Sequence, residues 1–516
     1  MEKSKTSINA DKKPEWHVVI LSLALFLGSI LRIFPGAMAG FPLNDGGMFF
    51  VMIRDLRLNH YLLPDFTTYN FFDIPFTYPP LGLYLAAVLR DVFGLPELEA
   101  LRWLPVIANL ISIYAVYLLA TKILSDHSRA AIASAFYALT PGSYDWFIMG
   151  GGLTRSFGYL FLLFSLYFFI RTLQIGTLKN VLLASLFCAL TVLSHPEAAL
   201  HLAASCLLFW IFLGRTKRGI LNATLVGLGT ILLTSPWWLT LLAYHGIDPV
   251  ISALQTGMYH RNPFVALMNN IFARDTYIPI LMVLRIIGLG WAIWKRQFLL
   301  PAWLALPYFV EPRSAPVVTF FSFCMLIALA LADALPAFAG WLKRNEAEGN
   351  IAPHFIELRW LNGTIFLLLI YLFVESSLFS FRLINTTLKP REIEAMTWVN
   401  ENTPEEARFL VITGNPDAMV DPLQEWFPAL AGRRSQTTLQ GLEWTLADGF
   451  FPRFDDLTQL QSCEQVMCIE NWSKGTGIEF THLLVDKKDL SDRRFEALQD
   501  NYEILYESGD IFIYKK

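Results

Sequence analysis

Residues 79–94 read PPLGLYLAAVLRDVFG. How this stretch meets a membrane decides the topology of the whole chain. Two prolines open it, which preorganises a helix start and fixes its entry angle. As a helix its ~15 residues rise about 22 Å, short of the ~30 Å hydrocarbon core of a bilayer. It is therefore either a short span or a helix lying in the interface.

The rest of the chain leaves no doubt that a bilayer is involved. Of 516 residues, 54% are hydrophobic and 16% charged, with a mean hydropathy of +0.43. A soluble domain carries about a quarter charged residues. The excess sits in long apolar runs at 17–36, 101–124, 153–172, 218–243 and 359–381, each near or above the ~20 residues that cross a bilayer. The first run follows Lys12 and Lys13 with no small-residue cleavage site behind it. It reads as a retained span, not a removed signal peptide.

Basic residues then settle residues 79–94. If the stretch does not span, every basic connector falls on the side of the Lys-rich N-terminus: Lys122 with Arg129, Arg171 with Lys179, Arg215 with Lys217 and Arg218, Lys295 with Arg296, and Lys343 with Arg344. If it spans, the same loops move outside, against the positive-inside tendency. The sequence thus predicts a polytopic α-helical protein of the cell (plasma) membrane, with about 11 spans plus a short interfacial helix. Its N-terminus is cytoplasmic. The membrane part is 1–385, with a long first external loop at 39–100. A small mixed α/β extracytoplasmic domain follows at 390–516, where PREIEAMTWVNEN reads as helix and ARFLVIT, HLLVD and YEILYESGDIFIYKK read as strands. If that tail is outside, Cys463 and Cys468 can pair; Cys188, Cys206 and Cys324 lie in apolar runs and read as packing residues. The net charge of −4 gives no reason to expect a nucleic-acid partner.

This topology puts the unusual polar motifs on one rim: NDGG from Asn44, TYPP from Thr77, SYDW from Ser143, GGLTR from Gly151, SHPE from Ser194, YHRNP from Tyr259 and VEPRSAP from Val310. Loops on a rigid scaffold are where sites are assembled. Asp45, in FPLNDGGMFF, is an ionisable group at the membrane boundary. Burial among Met48, Phe49 and Phe50 would push its pKa toward that of a useful base. A helix cap or turn is its plain alternative. Asp73 is a second carboxylate in the same loop. Tyr78 and the prolines after it shape the loop, with an interfacial anchor as the plain role for Tyr78. Arg155 follows three glycines, which allow close backbone approach, and its planar fork suits phosphate. Arg313, beside Glu311, and Arg261, beside His260, are further cations at the rim. One such Arg alone could snorkel to headgroups; three together suit an anionic ligand. His195 and Glu197 open a helix and suit a substrate hydroxyl or phosphate. A divalent metal there would want a third ligand that the sequence does not offer nearby, so no metal ligand is assigned and the cofactor stays open.

The first-loop Asp in NDGG and the Pro-Pro-Leu element in YPPLGLYL, followed by alternating spans and a soluble tail, make a pattern that resembles the GT-C superfamily of integral-membrane glycosyltransferases, the group of protein O-mannosyltransferases and the lipid A aminoarabinose transferase. The resemblance implies a polyprenyl-phosphate-linked sugar donor, inverting transfer on the external face to a protein, lipid or glycan acceptor, and an acidic base in the first loop. Asp45 takes that role, with Tyr78 and Pro80 shaping the loop. The O-mannosyltransferases usually carry adjacent Asp-Glu there; here Asp45 precedes Gly46. Competing classes are a multi-span transporter, which would show internal repeats and ionisable groups deep in its spans, and a lipid-linked polysaccharide ligase. No repeat is evident, and Arg285 and Asp333 are the main deep charges read from the sequence.

Overall fold

The computed structural model describes residues 15–257, 262–272, 279–343 and 358–516. Its helices are α1 (Trp16–Ala39), α2 (Gly47–Leu58), α3 (Leu81–Phe93), α4 (Glu97–Leu124), α5 (His127–Leu139), α6 (Gly152–Ile175), α7 (Leu178–Val192), α8 (Pro196–Leu213), α9 (Lys217–His245), α10 (Asp248–Gly257), α11 (Pro263–Ile271), α12 (Pro279–Trp294), α13 (Leu299–Val310), α14 (Ala315–Leu329), α15 (Leu335–Lys343), α16 (Arg359–Leu383), α17 (Pro390–Asn402), α18 (Pro422–Ala431), α19 (Phe450–Gln461), α20 (Val466–Thr476) and α21 (Asp492–Asn501). The strands are β1 (Phe66–Thr67), β2 (Ile74–Pro75), β3 (Arg408–Ile412), β4 (Arg434–Ser435), β5 (His482–Asp486), β6 (Glu503–Ser508) and β7 (Ile511–Lys515).

The chain is a membrane protein. Among the described residues, seven helices are long and apolar enough to cross a bilayer, and α7, α12 and α13 are shorter apolar helices. The stretch from Pro79 forms α3, one turn of which starts at Pro80 and whose end is closed by Gly94 in the left-handed conformation. In the bundle, α5 packs on α1, α4 and α14, and α6 packs on α4, α7 and α8. The sequence of α5, HSRAAIASAFYAL, explains its central place: it is buried without a break from Ala130 to Leu139, and small residues let helices approach closely inside lipid.

One deep charge escaped the sequence reading. Arg32, midway along α1, is fully buried. It donates to Asn109 Oδ1 (2.5 Å), Ala138 O (2.7 Å) and Ser143 Oγ (2.8 Å), tying α1 to α4, α5 and the turn after α5. Of the charges noted above, Asp333 pairs with Arg129 at 2.6 Å and Arg285 lies over the Phe323 ring. These are packing roles for charge in lipid, paired as burial requires.

Outside the bundle, a five-stranded sheet runs in the order β4-β3-β5-β7-β6. β3 is parallel to β4 and β5, β5 is antiparallel to β7, and β6–β7 is a hairpin. Its core is shared with the first loop. A single hydrophobic cluster joins Phe41, Ile53, Leu56, Tyr69 and Leu83 to Phe409, Trp426, Leu484 and Ile513. Polar bonds stitch the same seam. Trp426 Nε1 donates to Asn44 O (2.8 Å), Tyr69 Oη donates to Glu425 O (2.7 Å), and Asn70 exchanges two bonds with Ser435 (2.9 and 2.7 Å). Asn70 adopts φ 57°, a left-handed conformation that asparagine tolerates. Tyr69→Phe should therefore lower unfolding stability by about 1 kcal/mol, the net worth of one buried hydrogen bond. Thermal denaturation of the detergent-solubilised chain checks this; an unchanged midpoint would show that the seam does not limit stability. Cys463 and Cys468 are joined by a disulfide.

Candidate functional site

The site forms where the first loop meets the starts of α6 and α8, the turn before α14, and α18. Asp45 sits between the end of α1 and the start of α2, half-buried. Its Oδ1 accepts from Gly151 N at 2.6 Å, the backbone just ahead of α6. The approach is very close: a Cβ on Gly151 would fall inside the Asp45 carboxylate, and one on Gly150 inside the Asp45 carbonyl. The GGG run is what the geometry demands. Burial raises the Asp45 pKa, and the Arg155 charge partly opposes it.

Arg155, in the first turn of α6, donates to Trp146 O at 2.8 Å and lies over the Trp146 ring. Its field reaches Asp45, Tyr78, Asp145 and His195, so it is the shared cation of the cluster. Tyr78 packs edge-on against Phe49, His195 and Trp444. Burial pushes its hydroxyl up to about 12, leaving it a hydrogen-bond donor at neutral pH. His195 caps α8, its Nδ1 facing Ala198 N at 3.5 Å. Burial lowers its pKa to about 3. The ring is neutral, and the bond at Nδ1 assigns the proton to Nε2, where it can donate to a phosphate or hydroxyl oxygen.

Arg313 donates through Nε to Glu197 Oε1 (2.9 Å) and through Nη2 to the same oxygen. Glu311 folds back on its own turn, accepting from Ser314 N (2.7 Å) and Ser314 Oγ (2.6 Å), and His201 Nε2 meets Ser314 Oγ at 2.8 Å. The turn is thus braced against α8, with the Arg313 side chain 53% exposed and able to exchange partners.

Of the residues singled out from the sequence, the structure brings Asp45, Tyr78, Arg155, His195, Glu197, Glu311 and Arg313 into this region. It does not bring Asp73, which is exposed, left-handed in φ at 49°, and beside Arg434 on the sheet. His260 and Arg261 lie outside the described residues. No group of three or more His, Cys, Asp or Glu among the described residues is placed to hold a metal ion.

Three carboxyl groups were missed. Glu425 of α18 is buried and accepts from Gly46 N at 2.8 Å. Burial and the neighbouring Asp45 charge raise its pKa to about 8. Glu443 accepts from Gly441 N at 2.7 Å, and burial raises its pKa. Asp145, in SYDW, is pushed up to about 6 by burial, with Arg155 opposing. SYDW was visible as a motif, but the two glutamates are ordinary helix and turn residues in sequence.

Residues 77–239 match the family described as dolichyl-phosphate-mannose-protein mannosyltransferase. A comparison with curated proteins gives no match. Among solved structures, the chain is similar to the oligosaccharyltransferase AglB from Archaeoglobus fulgidus, in complex with an inhibitory peptide and a dolichol-phosphate (13% identity, 97% of this chain, 74% of that one, TM-score 0.57). It is similar to ArnT from Cupriavidus metallidurans bound to undecaprenyl phosphate (12% identity, 97% of each chain, TM-score 0.56). It is also similar to the arabinofuranosyltransferase AftD from Mycobacteria (14% identity, TM-score 0.51), where it covers 98% of itself but only 40% of AftD. These are GT-C membrane glycosyltransferases. The matched residues include YPPLGLYL but not NDGG, and the chain has the GT-C fold that the resemblance implied.

Proposed function

We propose that this protein transfers a sugar from a polyprenyl-phosphate donor to an acceptor hydroxyl at the extracytoplasmic face of the membrane. The observation that carries the reading is Asp45, held by Gly151 N–H with its pKa raised, beside the fixed cation Arg155. Oδ2, the oxygen not engaged by Gly151, takes the acceptor proton. The acceptor oxygen then attacks the anomeric carbon, the bond from that carbon to the phosphate oxygen breaks, and the electron pair leaves with the phosphate. Attack opposite the leaving group inverts the anomeric centre. Arg155, Arg313 and His195 Nε2–H stabilise the departing phosphate. Tyr78, Glu197 and Glu311 shape and brace its surroundings.

An apolar groove of about 400 Å³ beside the site supports the lipid part of this reading. Tyr61, Leu63, Pro80, Tyr84, Leu193 and Trp237 help line it. Pro80 and Leu193 each stand two residues from a site residue, so a chain lying in the groove ends near the cluster. The topology follows the same logic. Eleven passes, made by α1, α4 to α9, α12, α13, α14 continued by α15, and α16, put the basic connectors on one side and Asp45, His195 and Arg313 on the other. The site and residues 390–516 are then extracytoplasmic and residues 1–385 form the membrane unit. The Cys463–Cys468 disulfide suits an oxidising compartment.

The test is reconstitution with a panel of polyprenyl-phosphate sugars, reading release of free polyprenyl phosphate with and without cell-envelope acceptors. Release that increases with acceptor is expected. No release from any donor would overturn the transferase reading and favour a transporter.

A further inference from the structure

Glu425 has no part in the transfer as proposed. It comes from α18, far along the chain from Asp45, yet it is held against the same turn. Gly46 N donates to Glu425 Oε1 at 2.8 Å, while Gly151 N donates to Asp45 Oδ1 at 2.6 Å. The two carboxyl groups are therefore fixed by the backbone of adjacent or facing glycines. Glu425 cannot retreat. Its own carbonyl accepts from Tyr69 Oη, and the next side chain, Trp426, donates to Asn44 O. Glu425 is 6% exposed. Arg313 bonds Glu197, not this pair, and the charge of Arg155 acts on Asp45. The remaining groups whose fields matter here are Glu443, whose charge adds repulsion, and Tyr69, whose hydroxyl meets the Glu425 backbone.

We propose that Glu425 is a positioning residue for the transfer, sharing a single proton with Asp45 so that the pair carries one negative charge and that charge rests on Asp45. Two carboxylates held close and largely out of water do not readily both ionise. The inference rests on Asp45 being the base, as read above. The Glu425 pKa of about 8, raised by burial and by Asp45, agrees with the geometry. At neutral pH Glu425 is a neutral acid, its Oε1 orienting Gly46 and so the turn that carries Asp45. When Asp45 takes the acceptor proton, the repulsion on Glu425 falls, its own proton becomes more acidic, and the pair resets by losing one proton to solvent. Above about pH 8 Glu425 ionises as well, and two anions then face an anionic donor.

The transfer rate should thus follow a bell-shaped pH profile with an alkaline limb near 8, expressed mainly as a rise in KM for the donor. Glu425→Gln keeps an acceptor for Gly46 N but has no proton to lose, so its alkaline limb should disappear; Glu425→Asp should retain one. A Gln variant with the same alkaline limb would overturn the proposal. Difference infrared spectroscopy decides it without any donor. A protonated carboxyl band at pH 7, lost in Glu425→Gln and titrating at lower pH in Asp45→Asn, is the expected result. No Glu425 band at pH 7, or one whose titration ignores Asp45→Asn, would overturn it. Because this arm needs no turnover, a correct band in a protein that releases no polyprenyl phosphate would sustain the proton-sharing pair and sink the transferase reading alone.

Discussion

Asp45→Asn should lower the rate of polyprenyl phosphate release by ~10²–10⁴-fold, the usual worth of a positioned general base. The substitution is close to isosteric. The amide oxygen of Asn can still accept from Gly151 N, where Asp45 Oδ1 now accepts at 2.6 Å, so the turn keeps its place. What is lost is the capacity to take a proton. Donor affinity should change little, because Arg155, Arg313 and His195 remain. Kinetics should therefore show the loss in kcat, with KM for the donor within a few-fold of wild type. A second consequence tests the electrostatics. Removing the Asp45 charge removes the larger of the two charge effects that, with burial, raise Glu425, so Glu425 should ionise at lower pH in the variant. Release at the wild-type rate would remove Asp45 from the mechanism while leaving the class of reaction standing. An equal loss in kcat and donor binding would make Asp45 a binding group instead.

Much of the fold was legible in the sequence because bilayers impose simple rules. The short stretch 79–94 leaves two topologies open, and the basic connectors favour the one in which it does not span. On the topology so predicted, Asp45, Tyr78, Arg155, His195, Glu197 and Arg313 fall on one rim, although five separate stretches supply them. Each announced itself by standing near Gly or Pro at the end of an apolar run. Glu425 sent no such signal. It lies inside PLQEWFPALA, an amphipathic helix of a polar tail, and only the shared core between that tail and the first loop carries it to Gly46. Such long-range pairing has no local mark in one sequence. Asp73 failed for the opposite reason. It had the right company in NFFDIPFTYPP, but its left-handed turn between β1 and β2 points it out beside Arg434. Arg32 was overlooked because a single Arg inside a long apolar run reads as tolerated charge, whereas its partners Asn109, Ala138 and Ser143 come from later segments.

The adjacent glycines ahead of α6 should separate stability from catalysis. A Cβ on Gly150 would meet the backbone carbonyl of Asp45 and the Cα of Gly46. Backbone on both sides leaves nothing to swing aside, so Gly150→Ala should force the first loop away from α6 and cost about 1–3 kcal/mol of stability, as overpacking does. The three atoms nearest a Cβ on Gly151 all belong to the Asp45 side chain. That carboxylate can rotate away, and when it does the bond from Gly151 N is lost and the base moves from its place. Gly151→Ala should thus fold nearly as well as wild type yet lose roughly 10²-fold in rate, the scale of a 1 Å misplacement at a reacting group. Measured together, melting temperature and release rate of the two variants form the test. A large melting loss for Gly150→Ala and a large rate loss with little melting loss for Gly151→Ala is the expected split. If Gly151→Ala instead kept full activity, the Gly151–Asp45 bond would be dispensable, and the carboxylate that performs the reaction would have to sit elsewhere on the rim, with Asp145 beside Arg155 the next to substitute.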